Sequence, residues 1–312
     1  MRRLSIVFIS IAVSFFSSCE IKQFDVDVLA GDPELVLICC PGTRDTTIIQ
    51  LYKTIPVGDN YYGFPFLDSA EIVFRINGVK EAVIPSHDGV GSVPEGCWFV
   101  PRRLEPGSNV EIEAEAEDMG PVSSSTRIPA KVKDFEYELD LYASQGATHL
   151  RISFDDIPGV ENYYGVGLLC ERTITVEEKV FVETYMMKPS TQTSERYLVY
   201  GFNGWTFSSW WYSVSMVPDK TYKDGRIQMS MDLLDSSKMV FTEKHTETRR
   251  YKVCVYSFSR EFYEFVLSMS QRSNNTIAES GFAMMPLNYT NINGGSGVLA
   301  GWTMTETDWI YK

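Results

Sequence analysis

The octapeptide Val110-Glu111-Ile112-Glu113-Ala114-Glu115-Ala116-Glu117 sets two physical tendencies against each other. Alanine and glutamate both favour helix on intrinsic propensity. The apolar residues, however, occupy every second position without a break. A period of two places them on one face of a strand and the glutamates on the other. On a helix the same residues would spread their apolar side chains around the axis and leave no face to bury. The segment therefore reads as a half-buried strand with an acidic outer face. Leu104-Glu105-Pro106-Gly107, just before it, reads as a tight turn.

Strand signals continue outward in both directions. Leu35 to Cys40 is a continuous apolar run, and Thr46 to Ile55 is rich in threonine and isoleucine. Ala70 to Ile76 runs into Asn77-Gly78, a hairpin signal because both central residues must tolerate positive φ. A first block closes near Arg127-Ile128-Pro129. Phe135, Tyr137 and Leu139 then alternate with acids, Leu150 to Phe154 alternates again, and Asp155-Asp156-Ile157-Pro158-Gly159 turns into Tyr163 to Cys170. Arg196 to Tyr200, Trp210 to Val217 and Arg250 to Phe258 complete the predicted strands. One helix is expected, at about 260–272. Ser259 stands as its N-cap, and Phe262, Phe265, Val266 and Met269 fall at i, i+3, i+4 and i+7. Many short strands with frequent turns and one late helix predict a mostly β chain. The expected architecture is two packed β-sandwich, immunoglobulin-like domains, 34–130 and 131–312, with a short amphipathic helix near the C-terminus.

The front of the chain has a different character. Arg2 and Arg3 precede an apolar run from Leu4 to Phe16, too short for a membrane span, which needs roughly 20 apolar residues. A positive start and a short apolar core read as a secretory signal over residues 1–18. Phe16-Ser17-Ser18-Cys19 resembles a lipobox, so Cys19 is expected to carry the lipid that holds the mature chain to a membrane. Each buried methylene contributes about 0.8 kcal/mol, so several acyl chains suffice. Residues 19–33, with Glu20, Asp25 and Asp27, then form an acidic tether.

The 28 basic and 41 acidic residues give a formal charge of −13. Losing residues 1–18 would remove two arginines and no acid, leaving −15. Such a chain is repelled by phosphate backbones, so no nucleic-acid partner is expected. Cys39, Cys40, Cys97, Cys170 and Cys254 show neither C-x-x-C spacing nor a disulfide framework, and buried small hydrophobes are the expected role, with one disulfide left open. Cys39 and Cys40 should point to opposite faces of their strand.

Motifs for chemistry are scarce. His87, His149 and His245 lie far apart, and His149, beside Arg151 in an alternating strand, reads as a surface imidazole. No metal is expected. Asp155-Asp156 reads as a capped turn rather than a calcium loop. The glycines among Asn291, Gly294, Gly295 and Gly297 open no helix. They read as a structural motif allowing close backbone approach, not as a phosphate cradle. Trp205, Trp210, Trp211 and Tyr212 are the candidate ligand-binding residues, since such rings suit a peptide or glycan. Core packing is the competing reading, and both stand.

Several segments together resemble a known family. They are the lipobox cysteine with Glu34-Leu35-Val36-Leu37, Asp68 to Phe74, Leu104 to Gly107 through Ile128-Pro129, Ile157 to Tyr164, Ser257 to Met269, and Asn291-Ile292-Asn293-Gly294-Gly295-Ser296-Gly297-Val298-Leu299. The chain resembles the Bacteroidetes outer-membrane lipoproteins called domain of unknown function 4249. It departs from them at Leu299, where an aromatic is usual, and at Cys39-Cys40. The resemblance implies an accessory subunit of a TonB-dependent receptor, without cofactor or assigned catalytic residue. The expectation is a non-enzymatic lipoprotein of the outer membrane, facing the cell exterior, that captures a small ligand or lids the receptor's β-barrel. A structural or adhesive surface lipoprotein is the alternative. An enzyme such as a glycosidase would need two carboxylates about 5–10 Å apart in a cleft.

Overall fold

Val110, Ile112, Ala114 and Ala116 are buried, whereas Glu111, Glu113 and Glu115 face solvent. Period two has overridden helix propensity. The computed structural model describes residues 33–55, 67, 69–91, 93–116, 118–141, 147–201, 213–240, 242, 244–273 and 288–311. Its first strands are β1 (Leu35–Cys39), β2 (Thr47–Lys53), β3 (Glu71–Ile76), β4 (Val79–Glu81), β5 (Ile84–Ser86), β6 (Cys97–Val100), β7 (Asn109–Ala116) and β8 (Met119–Arg127). Next come β9 (Glu136–Asp140), β10 (Thr148–Asp155), β11 (Tyr163–Val176), β12 (Lys179–Met186), β13 (Lys188–Pro189), helix α1 (Thr191–Arg196), β14 (Leu198–Gly201), β15 (Ser213–Pro218) and β16 (Arg226–Leu234). The chain closes with β17 (Thr246–Phe258), helix α2 (Arg260–Ser273), β18 (Ser296–Leu299), β19 (Trp302–Glu306) and β20 (Ile310–Tyr311).

The protein is mostly β. One sheet of order β18-β1-β2-β6-β5 and another of order β4-β3-β7-β8 enclose a core that includes Leu35, Leu37, Leu51, Phe74, Leu104 and Ile112. Asn77 and Gly78 take φ of 51° and 81° at the β3–β4 turn, as a two-residue hairpin requires. A second pair, β13-β16-β10-β9 against β14-β15-β11-β17-β19, encloses Leu150, Ile152, Tyr164, Leu168, Met229 and Val253. A third apolar cluster joins Phe258, Phe262, Val266 and Trp302 to Cys40 and Val298. Cys39 and Cys40 do part company, one in the first core and the other in this junction. All five described cysteines are free and buried.

The C-terminal segment pairs with strands of both sheet pairs. β18 pairs in parallel with β1, and after Ala300-Gly301 the chain enters β19, antiparallel to β17. The Trp302 indole donates to the Cys40 carbonyl at 3.0 Å and is 1% exposed. Helix α2 forms as its spacing predicts: the Ser259 hydroxyl accepts from Phe262 N at 3.4 Å, and Phe262 stacks on Phe258 with ring centroids 4.1 Å apart.

Three boundaries differ from expectation. The strand predicted from Arg196 starts at Leu198, because Ser190 caps a helical turn that runs to Arg196. β11 and β17 outrun their predicted ends because they pair from Tyr163↔Phe258 to Thr175↔Thr246. No strand is predicted at β5, β6, β8, β12, β13, β16 or β18 to β20, all of which form.

Candidate functional site

The outer face of the sheet formed by β9, β10 and β16 carries a cluster of hydroxyl, carboxylate, imidazole and guanidinium side chains above a groove. Alternation puts Ile227, Met229, Met231 and Leu233 of β16 inside, and Arg226, Gln228, Ser230 and Asp232 outside. β10 sends Leu150, Ile152 and Phe154 inward and His149, Arg151 and Ser153 outward. Antiparallel register sets His149 opposite Asp232 and Arg151 opposite Ser230. On β9, Glu138 faces Arg151 and Glu136 faces Ser153.

Helix α1 and the residue after it hold the edge of β16 beyond its short pairing with β13. Thr193 Oγ1 accepts from Asp232 N at 2.9 Å and donates to Asp232 O at 3.2 Å. The Tyr197 hydroxyl does the same for Ser230, accepting from its N–H at 3.2 Å and donating to its carbonyl at 3.4 Å. Two hydroxyls one helical turn apart, with the Ser190 N–H that donates to the Asp232 carbonyl at 2.8 Å, thus stand in for a neighbouring strand.

On this held backbone the side chains form a relay. His149 Nδ1 lies 2.6 Å from Asp232 Oδ1, and His149 Nε2 lies 3.2 Å from Ser230 Oγ. Arg151 reaches Glu138 at 3.1 Å, while Arg226 binds Glu136 at 2.7 Å and Asp155 at 3.3 Å. A groove of about 640 Å³ runs over Tyr137, Glu138, Arg151, Ser153, Tyr197 and Ser230. At its margin Tyr222 donates to the Gln228 carbonyl at 2.7 Å, and burial pushes its phenol up to about 12.

The family described as domain of unknown function (DUF4249) matches residues 21–308. The chain belongs to that family. No curated protein matches it.

Cys19, Trp205, Trp210, Trp211 and Tyr212 lie outside the described residues of this DUF4249 chain. Asn291 pairs with Leu299 through both ends of its amide, at 2.8 and 3.0 Å, in the manner of a backbone. Gly297, at φ 111°, leaves no room for a Cβ beside the Leu37 carbonyl, and Gly295 none beside Leu35. Asp156 accepts from Tyr164 OH at 2.8 Å and from Asn162 Nδ2 at 3.1 Å within the turn that includes Gly159. Among the described residues, no group of three or more His, Cys, Asp or Glu is placed to hold a metal. Nor is any described helix long and apolar enough to cross a membrane.

His87 is exposed and His245 lies 3.9 Å from Glu247, and neither lines the groove. His149 corrects the sequence reading: it is bonded through both ring nitrogens. Its partners lie 81 and 83 residues away in sequence, so no local pattern joins them. The one usable signal was the strict alternation of β16, which marks Ser230 and Asp232 as sharing an outer face.

Proposed function

We propose that this protein is a surface-anchored lipoprotein that serves as a ligand-capture or lid subunit of a TonB-dependent nutrient-uptake receptor in the outer membrane. The observation that carries the reading is Phe16-Ser17-Ser18-Cys19 behind a short apolar run with Arg2-Arg3 at its front, the pattern of a lipidated export signal. Membership of the DUF4249 family supports it. The acidic body suits a solvent-exposed position. The groove over β9, β10 and β16 offers hydroxyls, carboxylates and guanidinium groups to a small polar ligand such as a peptide or glycan.

Pull-down from outer membranes solubilised in mild detergent tests this directly. The expected result is co-purification of a large β-barrel and an acylated residue 19 by mass spectrometry. Cys19→Ala should release the protein to the soluble fraction. An unmodified Cys19, or a wild-type protein recovered without a barrel, overturns it. The second outcome would leave a structural or adhesive surface protein.

A further inference from the structure

We propose that Ser230, His149 and Asp232 form a nucleophilic site that takes an acyl group from a small ester lying in the groove. The three side chains are hydrogen-bonded in the order a serine nucleophile needs. Asp232 Oδ1 accepts the Nδ1 proton at 2.6 Å, which leaves Nε2 as the acceptor for the Ser230 hydroxyl at 3.2 Å. Position is imposed rather than incidental. The Thr193 and Tyr197 hydroxyls clamp the backbone of Asp232 and Ser230, and the β10–β16 ladder holds His149 across from them. The Ser230 hydroxyl opens into the groove, whose lining also includes Arg151, a guanidinium held by Glu138 at 3.1 Å.

The step balances without any further reagent than water. Ser230 Oγ bonds to the ester carbonyl carbon as its proton passes to His149 Nε2, and the carbonyl oxygen becomes an oxyanion open to the groove. Collapse breaks the bond to the leaving alcohol, which takes the proton back from Nε2. Water then attacks the acyl-serine, again giving a proton to Nε2. The carboxylic acid leaves, and the serine hydroxyl is restored. The Asp232 side chain is 40% exposed, so solvent screens its hold on the imidazole. Acylation should therefore be easier to detect than rapid turnover. This activity is independent of the anchor and of any barrel partner.

The test uses the full chain with a fluorophosphonate probe and with p-nitrophenyl acetate. The expected result is a single labelled serine, mapped to Ser230 by peptide mass spectrometry, and a burst of p-nitrophenol that prior labelling abolishes. Ser230→Ala should remove both. His149→Gln should slow labelling at least about 100-fold, the usual worth of a general base. Asp232→Asn should also slow labelling, because an amide that donates to Nδ1 turns the imidazole proton onto Nε2. Circular dichroism of each variant guards against misfolding. If His149→Gln fails to fold, the Asp232→Asn labelling rate decides. No label at Ser230, a label rate indifferent to these substitutions in folded protein, or a burst that survives Ser230→Ala overturns the proposal.

Discussion

Gly297 sits at φ 111° with its α-carbon facing the Leu37 carbonyl, where parallel strands β1 and β18 meet. Gly297→Ala should lower stability by about 3 kcal/mol, combining left-handed strain with overpacking. An unchanged urea midpoint would refute this. Arg172 is 8% exposed and donates to Ser237 Oγ at 2.6 Å, to Met239 O at 2.7 Å and to Glu247 at 2.7 Å. The Arg172 hydrogen bond is the main reason the Glu247 carboxyl titrates below its usual range. A folded value depressed below the unfolded one adds stability above the unfolded value and loses it as pH falls through the folded one. Arg172→Met should therefore cost about 3 kcal/mol at neutral pH. It should also shrink the acid-induced loss of stability below about pH 4.5. Melting curves at several pH values check this, and parallel curves for both proteins would count against it. At this scale legibility was uneven. The glycines near residue 295 announced close approach because glycine has few other reasons to cluster. His149 announced nothing, because its role depends on strands brought together only by folding.

Elements were legible where period and propensity could be separated. β7 and α2 each declared themselves by spacing alone. β16 alternates as strictly as β7, but methionine is a weak strand marker beside valine or isoleucine, so the signal went unread. Helix α1, six residues long, was hidden in a polar stretch with no apolar stripe to reveal it. Its Thr193 is nonetheless 3% exposed, and its hydroxyl answers both backbone groups of Asp232. Thr193→Val keeps the shape and removes the hydroxyl, and should destabilise by about 1–2 kcal/mol through an unsatisfied N–H. At the other helix, Ser259→Ala should cost about 1 kcal/mol. Denaturant titration of each variant measures both effects, and a Thr193→Val protein as stable as wild type would show that water replaces the hydroxyl freely.

At the scale of the whole molecule, two sandwich cores share one junction centred on Trp302, β19 and helix α2. The described residues 34–54 and those from 67 onward form one compact unit. Heating should therefore give a single cooperative transition in calorimetry, and two resolved peaks would contradict that coupling. Trp302→Ala should lower stability by about 4 kcal/mol while keeping one transition, since the cavity falls where both cores lean on it. The fold class was visible in the sequence, whereas the return of residues 296–299 to the first sheet was not, because parallel pairing across so long a separation leaves no local trace. That return has a mechanical side. β1 lies between β2 and β18, so a pull on the chain ahead of Glu34 meets a central strand gripped on both edges. Traction along its axis loads both ladders in shear at once, instead of peeling them pair by pair. The body is built to resist being dragged from its leading end.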